Sequence, residues 1–282
     1  MNGEDFLAGM AASSARRVDM ARMREPERVL MQRALASARP PKLKLSNQGF
    51  DVIAELKLRS PALGTLASRS EDLEARIGLY AEHGAAAVSV LTEPERFDGA
   101  LEHLERAALV LKGRMPAMRK DFLVDPYQIA EARVAGAGGA LVILRMLARP
   151  ALEALLRRAA ELELFVLLEA FDEADIALGA ELVARHGSAQ QLLLGINCRD
   201  LVTLQVVPGR LEALAPRLPA SVPRVAESGV DTPAAAAQLA AAGYELALVG
   251  GALMKAADPA VLLAALLAAG RAARAGRGAP CG

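Results

Sequence analysis

Eight short apolar runs recur along this chain, with helix-forming stretches between them. They are DVIAEL from Asp51, AAVSVL from Ala86, MPAM from Met115, GALVIL from Gly139, LFVLLE from Leu164, LLLGIN from Leu192, VPRVAE from Val222 and ELALVG from Glu245. Consecutive runs begin 23 to 35 residues apart, room for one strand, one helix and two short loops. None alternates polar and apolar residues as a half-exposed antiparallel strand does, so they read as buried parallel strands. Eight such units in succession predict an α/β chain closed into a (β/α)₈ TIM barrel with an N-terminal helical extension. An open doubly wound sheet usually has fewer strands and a GxGxxG turn after the first, and no such turn follows Leu56. The expected division is a helical extension over 1–48, the barrel over 49–270 and a flexible basic tail over 271–282. The extension carries Leu7, Met10, Met20, Met23, Leu30 and Met31, a stripe expected to pack on the barrel.

Charge narrows the partners. Lysine plus arginine and aspartate plus glutamate number 33 each, so no net field draws the chain to nucleic acid or to an anionic membrane. Cys198 and Cys281 have no paired spacing for a disulfide framework or zinc site. The first residues lack the basic region and long apolar run of an export signal, and no run reaches the roughly 18 apolar residues of a membrane span. These features fit a cytoplasmic protein acting on a small molecule.

In a barrel of this kind, catalytic groups gather where the strands end. Strand one ends in Glu55 and Lys57, on one face; strand three in Arg119, Lys120 and Asp121; strand five in Glu169; strand six in Asn197 and Arg199; strand seven in Glu227 and Ser228. Any single one could be just the first solvated residue after a buried strand. The opposite ends carry Phe50, Met115, Phe165 and Leu192, and this asymmetry marks one working rim. Carboxylates and ammoniums sharing a partly dry mouth can hold different protonation states, as acid and base catalysis requires. His83, His103 and His186 fall in helices of the outer layer. Gly229 ends strand seven and Gly250 with Gly251 ends strand eight, where this fold often binds phosphate through backbone N–H groups.

Taken in order, IAELKLRSP from Ile53, AAAVSVLTEPERFDG from Ala85, MRKDFLVDPYQIAEAR from Met118, LLEAFDE from Leu167, GINCRDL from Gly195, AESGV from Ala226 and LVGGALM from Leu248 resemble the indole-3-glycerol phosphate synthase family. The resemblance covers residues 50 to 260, with RKDF and DPYQI its most specific parts. It implies a carboxy-lyase of tryptophan biosynthesis acting on 1-(2-carboxyphenylamino)-1-deoxyribulose 5-phosphate with no metal or organic cofactor. It also implies site roles. Lys120 would be the general acid that protonates the ketone as the ring closes. Lys57 would pair with the substrate carboxylate and donate in dehydration, and Glu55 would take the proton that restores aromaticity. Glu169 and Glu227 would orient the lysines and relay protons, with Asn197 as a hydrogen-bonding amide. Arg199 would approach the anthranilate carboxylate, Phe97, Leu141 and Leu201 would wall the ring, and Ser60, Ser228, Gly229, Gly250 and Gly251 would contact substrate, chiefly its phosphate. The chain departs from the family pattern at Ala62, Phe171, Cys198, Gly251 and Ala252, none of them a proton-transfer group.

Three rivals are weighed. Phosphoribosylanthranilate isomerase chemistry would want a Cys and Asp pair at the ends of strands one and six, where this chain has Glu55, Lys57 and Asn197; a thiamine phosphate synthase-like site would need acids arranged for Mg²⁺. A non-catalytic barrel that only binds a phosphorylated metabolite would have little reason to keep every acid and base. A monomer or homodimer is expected.

Overall fold

A computed structural model describes residues 3–61, 64–66, 72–200 and 203–276. The eight expected strands form as β1 (Asp51–Leu56), β2 (Ala87–Leu91), β3 (Ala117–Lys120), β4 (Gly139–Ile143), β5 (Phe165–Ala170), β6 (Leu192–Asn197), β7 (Arg224–Glu227) and β8 (Leu246–Val249). Each pairs in parallel with its sequence neighbours, and β8 pairs with β1 to close the barrel. The helices are α1 (Gly3–Arg24), α2 (Glu27–Ala36), α3 (Leu73–Glu82), α4 (Pro94–Phe97), α5 (Leu101–Leu111), α6 (Pro126–Val134), α7 (Arg149–Glu161), α8 (Glu173–His186), α9 (Arg210–Leu214), α10 (Pro233–Ala242), α11 (Gly251–Lys255) and α12 (Pro259–Ala275).

The strands are buried on both faces because the inner face fills the barrel and the outer face meets the helices. Ile53, Ala87, Met118, Leu141, Leu167, Leu193, Val225 and Leu248 belong to the inner cluster. Val52, Ala54, Val88, Val90, Val142 and Leu168 belong to the outer one. The period of two along each strand produces both layers from one apolar run. It also decides where polar residues go: Glu55 follows Ile53 on the inner face and Lys120 follows Met118.

Helix starts are fixed locally. Asp125 caps α6 by accepting from Tyr127 N, Gln128 returns the reciprocal bond to Asp125 N, and Pro126 occupies the first turn. The Glu93 side chain accepts from Glu95 N and Arg96 N and starts α4, which delivers Phe97 to the barrel mouth.

The leader is two helices, and part of its apolar stripe behaves otherwise than expected. Leu7, Met10 and Leu30 are buried, but Met20 and Met23 are exposed, 53% and 87%. They extend past the edge of the docked face. Two forked ion pairs also hold α1 there: Arg17 donates to both oxygens of Asp121 at 3.0 and 2.8 Å, and Arg22 to both oxygens of Asp125 at 3.0 and 2.7 Å. At the other end of the chain α12 continues through Ala275, and Arg271 donates to Phe50 O and Asp51 Oδ1, both at 3.0 Å. Residues 271–275 of the expected tail are therefore helical and tied to the foot of β1; residues 277–282, with Cys281, lie outside the described residues.

Candidate active site

The strand ends surround a cavity of about 660 Å³ at the mouth of the barrel, a volume suited to one organic metabolite. Glu55, Lys57, Ser60, Phe97, Lys120, Leu141, Glu169, Asn197, Arg199, Glu227, Ser228, Gly229, Gly250 and Gly251 all line it. Leu201 and Ala62 lie outside the described residues.

Two lysines meet three carboxylates here. Lys57 Nζ lies 2.5 Å from Glu55 Oε1. Lys120 Nζ lies 3.2 Å from Glu169 Oε2 and 3.8 Å from Glu227 Oε2. The second oxygen of Glu169 accepts from Asn197 Nδ2 at 3.1 Å, while Asn197 Oδ1 accepts from Ser228 Oγ and Arg199 N, each at 2.9 Å. Asn197 thus ties the ends of β5, β6 and β7 into one hydrogen-bonded unit. Two glycines make room for the acids. A Cβ on Gly250 would collide with the Glu55 carboxylate, and one on Gly195 with the Glu227 carboxylate.

The electrostatics of this cluster are uneven. Burial alone would lower the pKa of Lys120; the fields of Glu169, Glu227 and Glu55 outweigh it and hold the ammonium above the ordinary lysine value. Glu227 moves the other way from an ordinary acid. Burial, reinforced by the neighbouring Glu169 charge, raises it well above the usual carboxylate range, against the opposing field of Lys120. Neither Glu227 oxygen meets a protein donor, and its carboxyl neighbour is Glu169, so a proton shared by the pair is the favoured state. The site therefore sets a charged ammonium beside a carboxyl that holds its proton more tightly than an ordinary acid, two groups of different acid–base character.

One residue grouped with the rim turns out to face away from it. Arg119 lies on the outer face of β3, 3% exposed, and donates to Gln128 O at 2.8 Å, Glu131 Oε2 at 3.0 Å, Thr92 Oγ1 at 3.2 Å and Asp121 Oδ2 at 3.2 Å. Strand alternation sends Lys120 inward and its neighbour outward. Asp121, fully buried, also accepts from Thr92 Oγ1 at 2.7 Å and Phe122 N at 2.8 Å. Burial opposes its charge, but bonds from Arg17, Arg119 and Thr92 hold its pKa down at about 2. This knot braces the turn that carries Lys120.

Sequence reasoning missed several lining residues. Phe6, from α1, stacks edge to face on Phe122 with ring centroids 5.9 Å apart, and Phe97 lies 6.1 Å from the same ring. The resulting aromatic wall draws on three distant segments, so no local spacing announced it. Ile143 was foreshadowed by Leu141, two residues earlier on the same face of β4. Lys255 and Asp231 also line the cavity. Cys198 is buried as expected of a small core residue; its Sγ–H points to Ser228 O at 3.2 Å and burial pushes the thiol up to about 11. Among the described residues no group of three or more His, Cys, Asp and Glu side chains could hold a metal ion, and no helix is long and apolar enough to cross a membrane.

Fold and site together define a (β/α)₈-barrel enzyme with an acid–base cluster at the C-terminal rim of its strands. Solved structures with similar folds include a thiamine phosphate pyrophosphorylase from Pyrococcus furiosus (TM-score 0.56, 15% identity, 80% of this chain and 98% of that one). An orotidine 5'-phosphate decarboxylase from Pyrococcus horikoshii matches similarly (TM-score 0.57, 12% identity, 78% and 99%). At such identities they speak for the fold alone. The sequence is more specific: residues 9–266 match the family model described as indole-3-glycerol phosphate synthase. The chain is 40% identical over 272 residues to the indole-3-glycerol phosphate synthase of Parafrankia sp., covering 95% of both chains. It is 42% identical over 243 residues to that of Mycolicibacterium smegmatis, covering 83% of this chain and 84% of the relative. The chain belongs to the indole-3-glycerol phosphate synthase family.

Proposed function

We propose that this chain converts 1-(2-carboxyphenylamino)-1-deoxyribulose 5-phosphate to indole-3-glycerol phosphate, CO₂ and water. The observation that carries the reading is the cluster of Lys120, Lys57, Glu55, Glu169 and Glu227 in one cavity, within a chain of this family. The chemistry asks for a ring carbon to attack a ketone, for CO₂ to leave and for a hydroxyl to depart, and each step needs a proton placed or removed. Lys120, an ammonium with no neutral alternative near pH 7, protonates the ketone oxygen and stabilises its developing charge. Loss of CO₂ returns the electron pair of the broken C–C bond to the ring. Lys57 pairs with the substrate carboxylate and donates to the departing hydroxyl, while Glu55, 2.5 Å from Lys57, accepts the proton that restores aromaticity. Glu169 and Glu227 set the charge of Lys120 and exchange a proton with the amine and sugar hydroxyls, with Asn197 holding Glu169 in place.

In this reading the aromatic ring lies against Phe97, Leu141 and Leu201, Arg199 approaches its carboxylate, Ser228 contacts the substrate, and Ser60, Gly229, Gly250 and Gly251 hold the phosphate. Residues 1–48 serve as an extension that closes one side of the site, through Phe6. The reaction runs in the cytoplasm, needs no cofactor, and is performed by a monomer or homodimer. Incubating the purified chain with the carboxyphenylamino-deoxyribulose phosphate tests the reading. Because the chain has no Trp, the indole product is seen against little protein emission. Fluorescence growth unaffected by EDTA is expected; binding without product would favour a non-catalytic barrel instead.

A further inference from the structure

Four cationic side chains line the cavity among the described residues: Lys57, Lys120, Arg199 and Lys255. Lys57 is already paired with Glu55 and Lys120 with Glu169, with the Glu227 carboxyl 3.8 Å from Lys120. Arg199 gives one guanidinium N–H to the neutral carbonyl of Leu204 at 2.7 Å and, among the described residues, meets no carboxylate. Among the described residues Lys255 makes no ion pair, and it is exposed at the last turn of α11. Of the carboxylates on the remaining wall, Asp121 is held by Arg17 and Arg119, and Asp231 forms no ion pair with Lys255. The cavity thus offers two uncompensated cations.

The substrate of the proposed reaction carries two anionic groups, a carboxylate and a phosphate, at opposite ends. Gly250, Gly251 and Ala252 have no side-chain donor to offer a phosphate, so charge must come from elsewhere. Lys255 follows Gly251 by four residues in α11, one turn and ~6 Å along the same helix face, within reach of an anion seated against the β8 end. We infer that Lys255 is a phosphate-binding residue, the cation that selects a phosphorylated substrate at this end of the cavity while Arg199 serves the carboxylate at the other. The inference rests on the function proposed above. Being exposed, the contact is screened by salt and acts on binding rather than on the chemical step.

Steady-state kinetics of wild type, Lys255→Met and Lys255→Arg test it. In Lys255→Met we expect KM to rise about tenfold with kcat within about threefold, a loss of uniform binding. Inorganic phosphate should lose potency as a competitive inhibitor to a similar degree, and Lys255→Arg should restore both. Unchanged KM and unchanged phosphate inhibition in Lys255→Met would overturn the inference, as would a fall in kcat alone. If the wild-type chain turned over no substrate, the functional reading would fall. Calorimetric titration with inorganic phosphate alone would then decide the role of Lys255: weaker binding by Lys255→Met supports it, and equal affinity, or no wild-type binding, overturns it.

Discussion

Lys120 has three carboxylates within its field and no alternative but to stay charged, so a neutral replacement removes both a proton and a positive charge from the reacting centre. Lys120→Ala is expected to lower kcat by at least about 10³-fold, the upper part of the range for loss of a general acid. Circular dichroism and phosphate-analogue affinity should stay near wild type; retention of most activity would refute the assignment. Glu227 tells a different story. Its carboxyl is raised in the folded state, so below the unfolded value of about 4.3 both states hold the proton and the contribution to stability is complete. As pH rises towards the raised folded value, the unfolded chain releases its proton first and that stability is progressively lost. Glu227→Gln keeps the neutral hydrogen-bonding shape. Its thermal stability relative to wild type should therefore improve with increasing pH, while turnover falls about tenfold or more. Melting curves that run parallel at every pH would show that folding leaves the Glu227 carboxyl unshifted.

The elements matter because they fix these residues without touching the chemistry. α1 grips the loop after β3 through the two-pronged Arg17–Asp121 pair, one residue beyond Lys120. Arg17→Ala leaves Asp121 with Arg119 and Thr92, so the cost should be about 1–3 kcal/mol, short of the loss from stranding a buried charge completely. Because Lys120 ends the strand that runs into that loop, kcat should fall with stability, and a double-mutant cycle with Asp121→Asn should give strong coupling. Independent single effects would mean that the clamp is incidental. Strand geometry makes a second demand at Gly195, where an added Cβ would run first into the Glu227 carboxylate and Leu167. Gly195→Ala should cost about 1–3 kcal/mol and most of the activity by displacing Glu227.

For the whole molecule, the docked leader shares its Arg17–Asp121 brace with the turn that carries Lys120, so acid should weaken fold and site together. Asp121 is held at about 2 when folded against about 3.9 when unfolded. Its contribution is present above the unfolded value and vanishes as pH falls through the folded one, between about pH 4 and 2. An acid titration of Arg17→Ala should therefore unfold at higher pH than wild type. How much of this was legible beforehand depends on the range of the interaction involved. The eight strands, the closure and the polar residues at one rim followed from apolar runs of fixed length and from period-two alternation, which are local properties of the chain. The paired roles at the rim came from resemblance, through RKDF and its companions. Burial of the leader was misread at Met20 and Met23, since periodicity gives a helix its apolar face without saying how far the docked surface extends. The raised Glu227, the Phe6 wall and the unpaired Lys255 were decided only by tertiary structure. Each depends on which distant charges and rings the barrel brings within a few ångströms, and electrostatic and packing energies are set by those distances rather than by separation along the sequence.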